Sequence, residues 1–95
     1  MFGLPEATLW AIKTCIAQYP DIKWVKIYGS RAKGTYRPGS DIDLAFSAEK
    51  DVSAELLDDL DALPTPYSFD VLHYDNLSDK SVKDHIDRVG KILYP

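Results

Sequence analysis

Residues 24–44 decide the fold, and they read Trp-Val-Lys-Ile-Tyr-Gly-Ser-Arg-Ala-Lys-Gly-Thr-Tyr-Arg-Pro-Gly-Ser-Asp-Ile-Asp-Leu. The first five residues are rich in β-formers and predict a strand, and the last ones begin a second strand over 41–47. Between the strands, Ser30 can cap a short helix that ends at Gly34, and a turn-rich loop follows over 36–40. Because so short a connection cannot hold a long crossover, we expect a mixed sheet rather than a purely parallel one.

The rest of the chain predicts three longer helices and one more strand. Apolar residues at helical spacing indicate a first helix from Pro5 to Tyr19 and another over 52–63. A third strand is predicted over 67–74, and a last helix from about Ser78 to Val89. The order is α-β-α-β-α-β-α. We therefore predict one α+β domain over residues 1–95, a small mixed β-sheet with helices packed on one side.

Composition limits the classes of function. The 95 residues are 45% hydrophobic and 27% charged, an ordinary globular balance, and the net charge is −4. An acidic chain is a poor candidate for tight binding to nucleic acid, whose affinity comes from lysine and arginine. Membrane-spanning stretches are absent, and the single cysteine, Cys15, is expected to be a buried thiol in a reducing compartment. We therefore expect a cytoplasmic protein with no membrane partner. Trp10 and Trp24 are expected to lie in the core.

Two aspartates at alternate positions, Asp41 and Asp43, are the first candidate site residues. In a strand, residues i and i+2 face the same way with α-carbons roughly 6.6 Å apart. Two aligned carboxylates repel each other unless a cation lies between them. Hard oxygen ligands of this kind suit Mg²⁺. The alternative is the solvated face of an exposed edge strand.

Asp70 supplies a third carboxylate, inside the apolar run Phe-Asp-Val-Leu, where an acidic residue is unexpected. If the third strand lies beside the second, Asp70 joins Asp41 and Asp43. Three carboxylates around two Mg²⁺ ions form the site that two-metal phosphoryl chemistry requires. A structural acid paired with a lysine is the alternative for Asp70.

Gly29 and Ser30 stand where a strand turns into a helix, which predicts a phosphate site. Free N–H groups at a helix N-terminus attract anions, and glycine permits close approach. Arg31 and Lys33 add positive charge and are further candidates for nucleotide binding. Arg37, in the following loop, is a candidate for contact with nucleotide or partner. The plainer alternatives are a turn with a cap, and cations paired with surface acids.

The run Gly29-Ser30-Arg31-Ala32-Lys33-Gly34 is followed by Asp41-Ile42-Asp43-Leu44, with ten residues between Ser30 and Asp41. This pattern resembles the motif of the nucleotidyltransferase superfamily that includes DNA polymerase beta. The match is best to its minimal, MNT-type branch. The superfamily's third acid lies on a later strand, where this chain has Asp70.

This resemblance implies roles for the candidate residues. Asp41, Asp43 and Asp70 would be the catalytic metal ligands, Gly29 and Ser30 would hold the β- and γ-phosphates of ATP, and pyrophosphate would leave. Small relatives often pair with a HEPN-type helical protein as the antitoxin of a toxin–antitoxin couple, and some transfer AMP to a tyrosine of that toxin.

Three functions stay open from sequence alone. The first is an enzyme that modifies a hydroxyl of a partner protein. The second is a non-catalytic nucleotide-binding module that neutralises a toxin by occupying its surface. The third is a subunit that nucleotidylates a small molecule or an RNA end. The nucleotide base, the acceptor, the oligomeric state (homo- or hetero-oligomer) and the choice of Mg²⁺ or Mn²⁺ are not encoded in the motif. His73 and His85 lack metal-ligand spacing and are predicted to be structural or surface residues.

Overall fold

A computed structural model describes all 95 residues. The seven predicted elements are present, together with a short 3₁₀ helix and a fourth strand. In chain order they are α1 (Glu6–Ala17), β1 (Trp24–Tyr28), α2 (Gly29–Lys33), β2 (Ile42–Ser47), α3 (Ser53–Asp61), β3 (Phe69–His73), the 3₁₀ helix (Tyr74–Asn76), α4 (Lys80–Val89) and β4 (Lys91–Tyr94).

The strands form one mixed sheet in the order β3-β2-β1-β4. β1 runs antiparallel to both of its neighbours, β2 and β4, whereas β2 and β3 are parallel. The parallel pair is joined through α3, because parallel strands need a crossover connection. The mixed sheet and the α+β class are therefore confirmed.

The main core lies between one face of the sheet and the helices α1 and α3. Alternate strand residues point into it, because side chains in a strand alternate between the two faces. Its 17 buried residues include Val25, Ile27, Leu44 and Phe46. On the opposite face α4 encloses a smaller cluster, formed by Tyr28, Ala45 and Ile86. α1 and α3 thus pack on one side of the sheet as predicted, but the prediction that all helices lie on one side is wrong for α4, which packs on the opposite face.

Some boundaries and one side chain differ from expectation. β2 begins at Ile42, so Asp41 lies just before the strand. The prediction that Trp10 is a core residue is wrong, since 71% of it is exposed. Ile12, two positions further along α1, is fully buried, and a step of two positions turns a helical side chain to another face. Cys15 is buried and free, as expected.

The fourth strand is the element that sequence reasoning missed. Lys91–Tyr94 pairs with β1 and contains an irregularity opposite Val25 and Lys26. Strand preference depends on the neighbours that a segment packs against, and here the neighbour lies more than sixty residues earlier in the chain.

No helix has the length and apolar character needed to cross a membrane.

Candidate active site

A row of three polar side chains crosses the sheet on the face that α4 partly covers. Tyr28 of β1 is the register partner of Asp43 in β2, and Asp43 is the register partner of Asp70 in β3. Neighbouring strands are about 4.8 Å apart, and residues in register share a face. β3 therefore does lie beside β2, and two of the three candidate carboxylates are adjacent.

Asp43 lies in an environment that disfavours its charged form. It is half-buried, and its pKa is raised above the ordinary value first by desolvation and then by the charges of Asp70 and Asp41. Arg31 and His85 act in the opposite direction but do not cancel the effect. A carboxylate in this environment favours a proton or a cation close by.

Asp41 is exposed and precedes β2, and its neighbour Ser40 is held firmly. The Arg31 guanidinium donates from Nε and Nη2 to the Ser40 carbonyl, at 3.2 and 2.9 Å. Its Nη1 donates to the carbonyl of Phe2 at 3.0 Å. Arg31 thereby fixes the backbone immediately before Asp41.

The two basic candidates of α2 do not join the row. Arg31 is only 3% exposed, and all three of its guanidinium nitrogens already donate to backbone carbonyls. Its charge is still near enough to act on Asp43. Lys33 is exposed at the last residue of α2, away from the Gly29 end. In this structure Arg31 positions the loop, and Lys33 is a free surface cation.

Gly29 is the residue that brings the backbone against the carboxylates. Its φ of +72° lies in the left-handed region that disfavours a side chain. A Cβ added there would overlap Oδ2 of Asp43. α2 begins at this glycine, and the first N–H groups of a helix lack intrahelical acceptors. Gly29 and the half-buried Ser30 therefore present backbone donors beside Asp43.

Sequence reasoning missed two neighbours of the carboxylates, Tyr28 and His85. The pKa of Tyr28 is raised strongly by burial and then by Asp70 and Asp43, so its hydroxyl stays protonated and can donate. His85 of α4 packs edge-on against the Tyr28 ring, with centroids 6.1 Å apart. Tyr28 could have been identified from the antiparallel pairing of β1 with β2, which places it opposite Asp43. No local signal exists for His85, whose position depends on where α4 packs.

The second histidine has a structural role. His73 is buried, stacks on Phe46 with ring centroids 5.0 Å apart, and lies 2.6 Å from the Ala48 carbonyl through Nε2. It sits at the opposite end of β3 from Asp70. The carboxylate nearest to it, Asp75, accepts hydrogen bonds from Ser47 and Ala48 and so secures the same end of the sheet.

The carboxylates of the row do not form a metal site by themselves. No group of three or more histidine, cysteine, aspartate or glutamate side chains is placed so that it could hold a metal ion. Magnesium usually takes only one or two protein carboxylates and completes its shell with water and phosphate oxygens. Asp43 and Asp70, with Asp41 just outside the strand, supply ligands of this kind. Burial raises the pKa of Asp43 most, and the charges of Asp70 and Asp41 raise it further; a bound cation would favour the charged carboxylate against both effects.

Comparison with known proteins agrees with this geometry. The family profile described as Polymerase beta, Nucleotidyltransferase matches residues 11–95. Among curated protein sequences, none matches the chain.

Three solved structures share the fold. A toxin–antitoxin complex with AMP-PNP superimposes with a TM-score of 0.66 at 20% identity, covering 95% of this chain and 73% of that one. A mutant of the toxin–antitoxin MntA–HpeT gives 0.63 at 17% identity, with 95% and 72% covered. A Sulfolobus solfataricus protein described as a candidate nucleotidyltransferase gives 0.51 at 21% identity, with 95% and 88% covered.

Proposed function

Because the chain belongs to the polymerase beta nucleotidyltransferase family, we propose that it transfers AMP from Mg²⁺-ATP to a hydroxyl group. The observation that carries this proposal is the placement of Asp43 between Asp70 and Gly29. On one side, Asp43 is the register partner of Asp70. On the other side it lies against the backbone of Gly29, where an added Cβ would overlap the Asp43 carboxylate. Metal ligands and phosphate donors thus converge on one point.

Each residue has a chemical task in this proposal. The N–H groups at Gly29 and Ser30 bind the β- and γ-phosphates, as helix N-termini bind anions. Asp41, Asp43 and Asp70 would hold magnesium, which when bound would neutralise the triphosphate and lower the pKa of the acceptor hydroxyl. The acceptor oxygen bonds to the α-phosphorus as the bond to pyrophosphate breaks.

Asp70 and Tyr28 have different roles in the proposed reaction: Asp70 accepts a proton, and Tyr28 does not. Asp70 is exposed at the sheet surface and is the carboxylate able to take the proton of the acceptor hydroxyl. Tyr28 stays protonated beside both strand carboxylates, so it acts as a hydrogen-bond donor and not as a base. Its contact with His85 fixes its ring. Tyr28 is therefore a positioning residue.

The acceptor that we propose is a hydroxyl on a HEPN-type toxin, which makes this chain a cytoplasmic antitoxin. Two of the similar structures are toxin–antitoxin complexes, and one of these contains the ATP analogue AMP-PNP. In the MntA–HpeT mutant two aspartates are replaced by glutamate, and they are two positions apart, the spacing of Asp41 and Asp43. These likenesses support the proposal through a shared fold and a shared spacing.

The test is transfer of the α-phosphate label of ATP to a protein that co-purifies with the chain. Asp43→Asn should lower the transfer rate by about a hundredfold or more, since it removes a ligand used in the transition state. Asp58→Asn is the matched control, because Asp58 is an exposed acid on α3. Full activity in Asp43→Asn would refute the site. Tight partner binding without any transfer would favour the non-catalytic module.

A further inference from the structure

A cavity of about 410 Å³ opens at the 36–40 loop, which leads into Asp41. Its functional walls are Arg31, Tyr36, Arg37 and Tyr67, and proline and glycine form the rest. None of its walls is contributed by Gly29, Ser30, Asp43 or Asp70. The cavity is therefore distinct from the residues proposed to hold the phosphates and the metal.

The Arg31 guanidinium gives this cavity a positive charge that no directly contacting carboxylate neutralises, although the charge also acts on Asp43 from a greater distance. No carboxylate lies within 4.0 Å of it, and its three hydrogen bonds go to neutral backbone carbonyls. The rings of Tyr36 and Tyr67 lie 5.3 and 5.1 Å from the guanidinium carbon. Aromatic faces stabilise a cation without cancelling its charge. A buried cation acts on an approaching anion more strongly than an exposed one, since the local dielectric is lower.

Arg37 adds a second, movable cation at the rim. Its backbone N–H donates to Ser40 Oγ at 2.8 Å, and its carbonyl accepts from the Ser40 N–H at 2.9 Å. The loop is closed by these bonds, while the Arg37 side chain stays exposed and has no carboxylate partner. Two arginines at one cavity, one exposed and one buried, are a local exception in a chain of net charge −4.

The cavity adjoins the reaction centre through the backbone. Arg31 holds the carbonyl of Ser40, and the next residue is Asp41. Gly39, two residues before Asp41, is part of the cavity wall. The cavity therefore adjoins the loop segment that leads into Asp41.

We propose that this cavity binds acidic side chains that flank the acceptor hydroxyl on the partner protein, an inference that rests on the proposed function. Carboxylates match the planar fork of the exposed Arg37 guanidinium, and arginine pairs with them better than lysine does. The buried Arg31, whose nitrogens are already hydrogen-bonded, contributes through its charge. Tyrosine hydroxyls in the wall supply further donors. The chain thereby selects an acceptor within an acidic segment.

The test uses two fluorescein-labelled peptides, Glu-Glu-Tyr-Glu-Glu and Gln-Gln-Tyr-Gln-Gln, and fluorescence anisotropy. The acidic peptide should bind wild type about tenfold more tightly than the neutral one, a difference of about 1.4 kcal/mol. Arg37→Glu should remove this preference, and Arg37→Lys should retain part of it. Lys50→Glu is the matched control, because it makes the same charge change beyond the other end of β2. Equal binding of the two peptides, or an equal loss in Lys50→Glu, would overturn the proposal.

Binding of Mg²⁺-ATP to the same variants separates a peptide site from a nucleotide site. Arg37→Glu should change the Kd of Mg²⁺-ATP by no more than about twofold, because Gly29 and Ser30, which we propose bind the phosphates, do not line the cavity. A tenfold loss of ATP affinity with unchanged peptide binding would assign the cavity to nucleotide and overturn the inference. Peptide binding that depends on Arg37, in a protein that transfers no AMP, would support the cavity while refuting the proposed function.

Discussion

At position 29, both the backbone conformation and the packing against Asp43 disfavour a Cβ atom. A positive φ costs a non-glycine residue about 1 kcal/mol, and here the added Cβ would also displace the Asp43 carboxylate. Gly29→Ala should therefore lower both the free energy of unfolding and the transfer rate, the rate by about tenfold or more. Urea denaturation and the α-label assay measure the two effects.

Gly34 offers the matched control for that substitution. Its φ is +79°, but no atom lies within 4 Å of an added Cβ. Gly34→Ala should lose about 1 kcal/mol of stability from its backbone alone and keep its transfer rate. If the two alanine variants lose activity equally, contact with Asp43 is not the reason for glycine at position 29.

Asp43 should destabilise the folded protein at neutral pH. Its pKa is raised in the folded state, so the folded form binds a proton more tightly than the unfolded form does. Stability from this group is therefore lost as pH rises from the ordinary value of 3.8 through the raised pKa. Asp43→Asn should be more stable than wild type at neutral pH, and the gain should shrink as pH falls toward 3.8.

Urea denaturation across that pH range measures the gain, with Asp58→Asn as the exposed control. A constant difference between Asp43→Asn and wild type at every pH would contradict the electrostatic explanation. Added Mg²⁺-ATP should stabilise wild type and not Asp43→Asn, because ligand binding stabilises the state that binds it.

Residue identity in the candidate site could largely be read from the sequence. Gly29, Ser30, Asp43 and Asp70 were all predicted, since a short motif and strand alternation place them. The position of Arg31 could not be predicted, because its partners Phe2 and Ser40 lie on separate segments that only folding brings together. Whether these residues perform catalysis stays a prediction.

At the scale of elements, Asp79 caps the N-terminus of α4. The side chain of Asp79 accepts from the N–H groups of Ser81 and Val82, at 2.9 and 3.3 Å. Asp79→Ala should lower the free energy of unfolding by about 1 kcal/mol, whereas Asp79→Asn, also a good cap, should cost only a few tenths. Denaturation of both variants tests the cap, and equal stability of alanine and asparagine would contradict it.

Elements were predictable where local signals were strong. β1, α2 and β2 follow from β-formers, a cap and a turn-rich loop, and their observed bounds fall within about two residues of expectation. The packing of α4 on the second face and the pairing of β4 with β1 were not predictable. Both depend on contacts between segments far apart in sequence, which no local pattern records.

At the scale of the whole molecule, the net charge of −4 argues against nucleic acid as a ligand. We expect no measurable binding of a single-stranded oligonucleotide of about 20 residues at roughly 0.15 M salt, because phosphate binding needs a surplus of lysine and arginine. Fluorescence anisotropy measures this. Micromolar binding that weakens steeply with added salt would contradict the expectation and revive an RNA end as the acceptor.

The most direct test of the central claim compares two labels in one reaction. The chain and its co-purified partner receive Mg²⁺ with ATP labelled at either the α- or the γ-phosphate, and Asp70→Asn is the control. The account predicts that only the α-label reaches the partner, and that Asp70→Asn abolishes it. Transfer of the γ-label would show that the site transfers a phosphoryl group and not a nucleotidyl group, which contradicts the account.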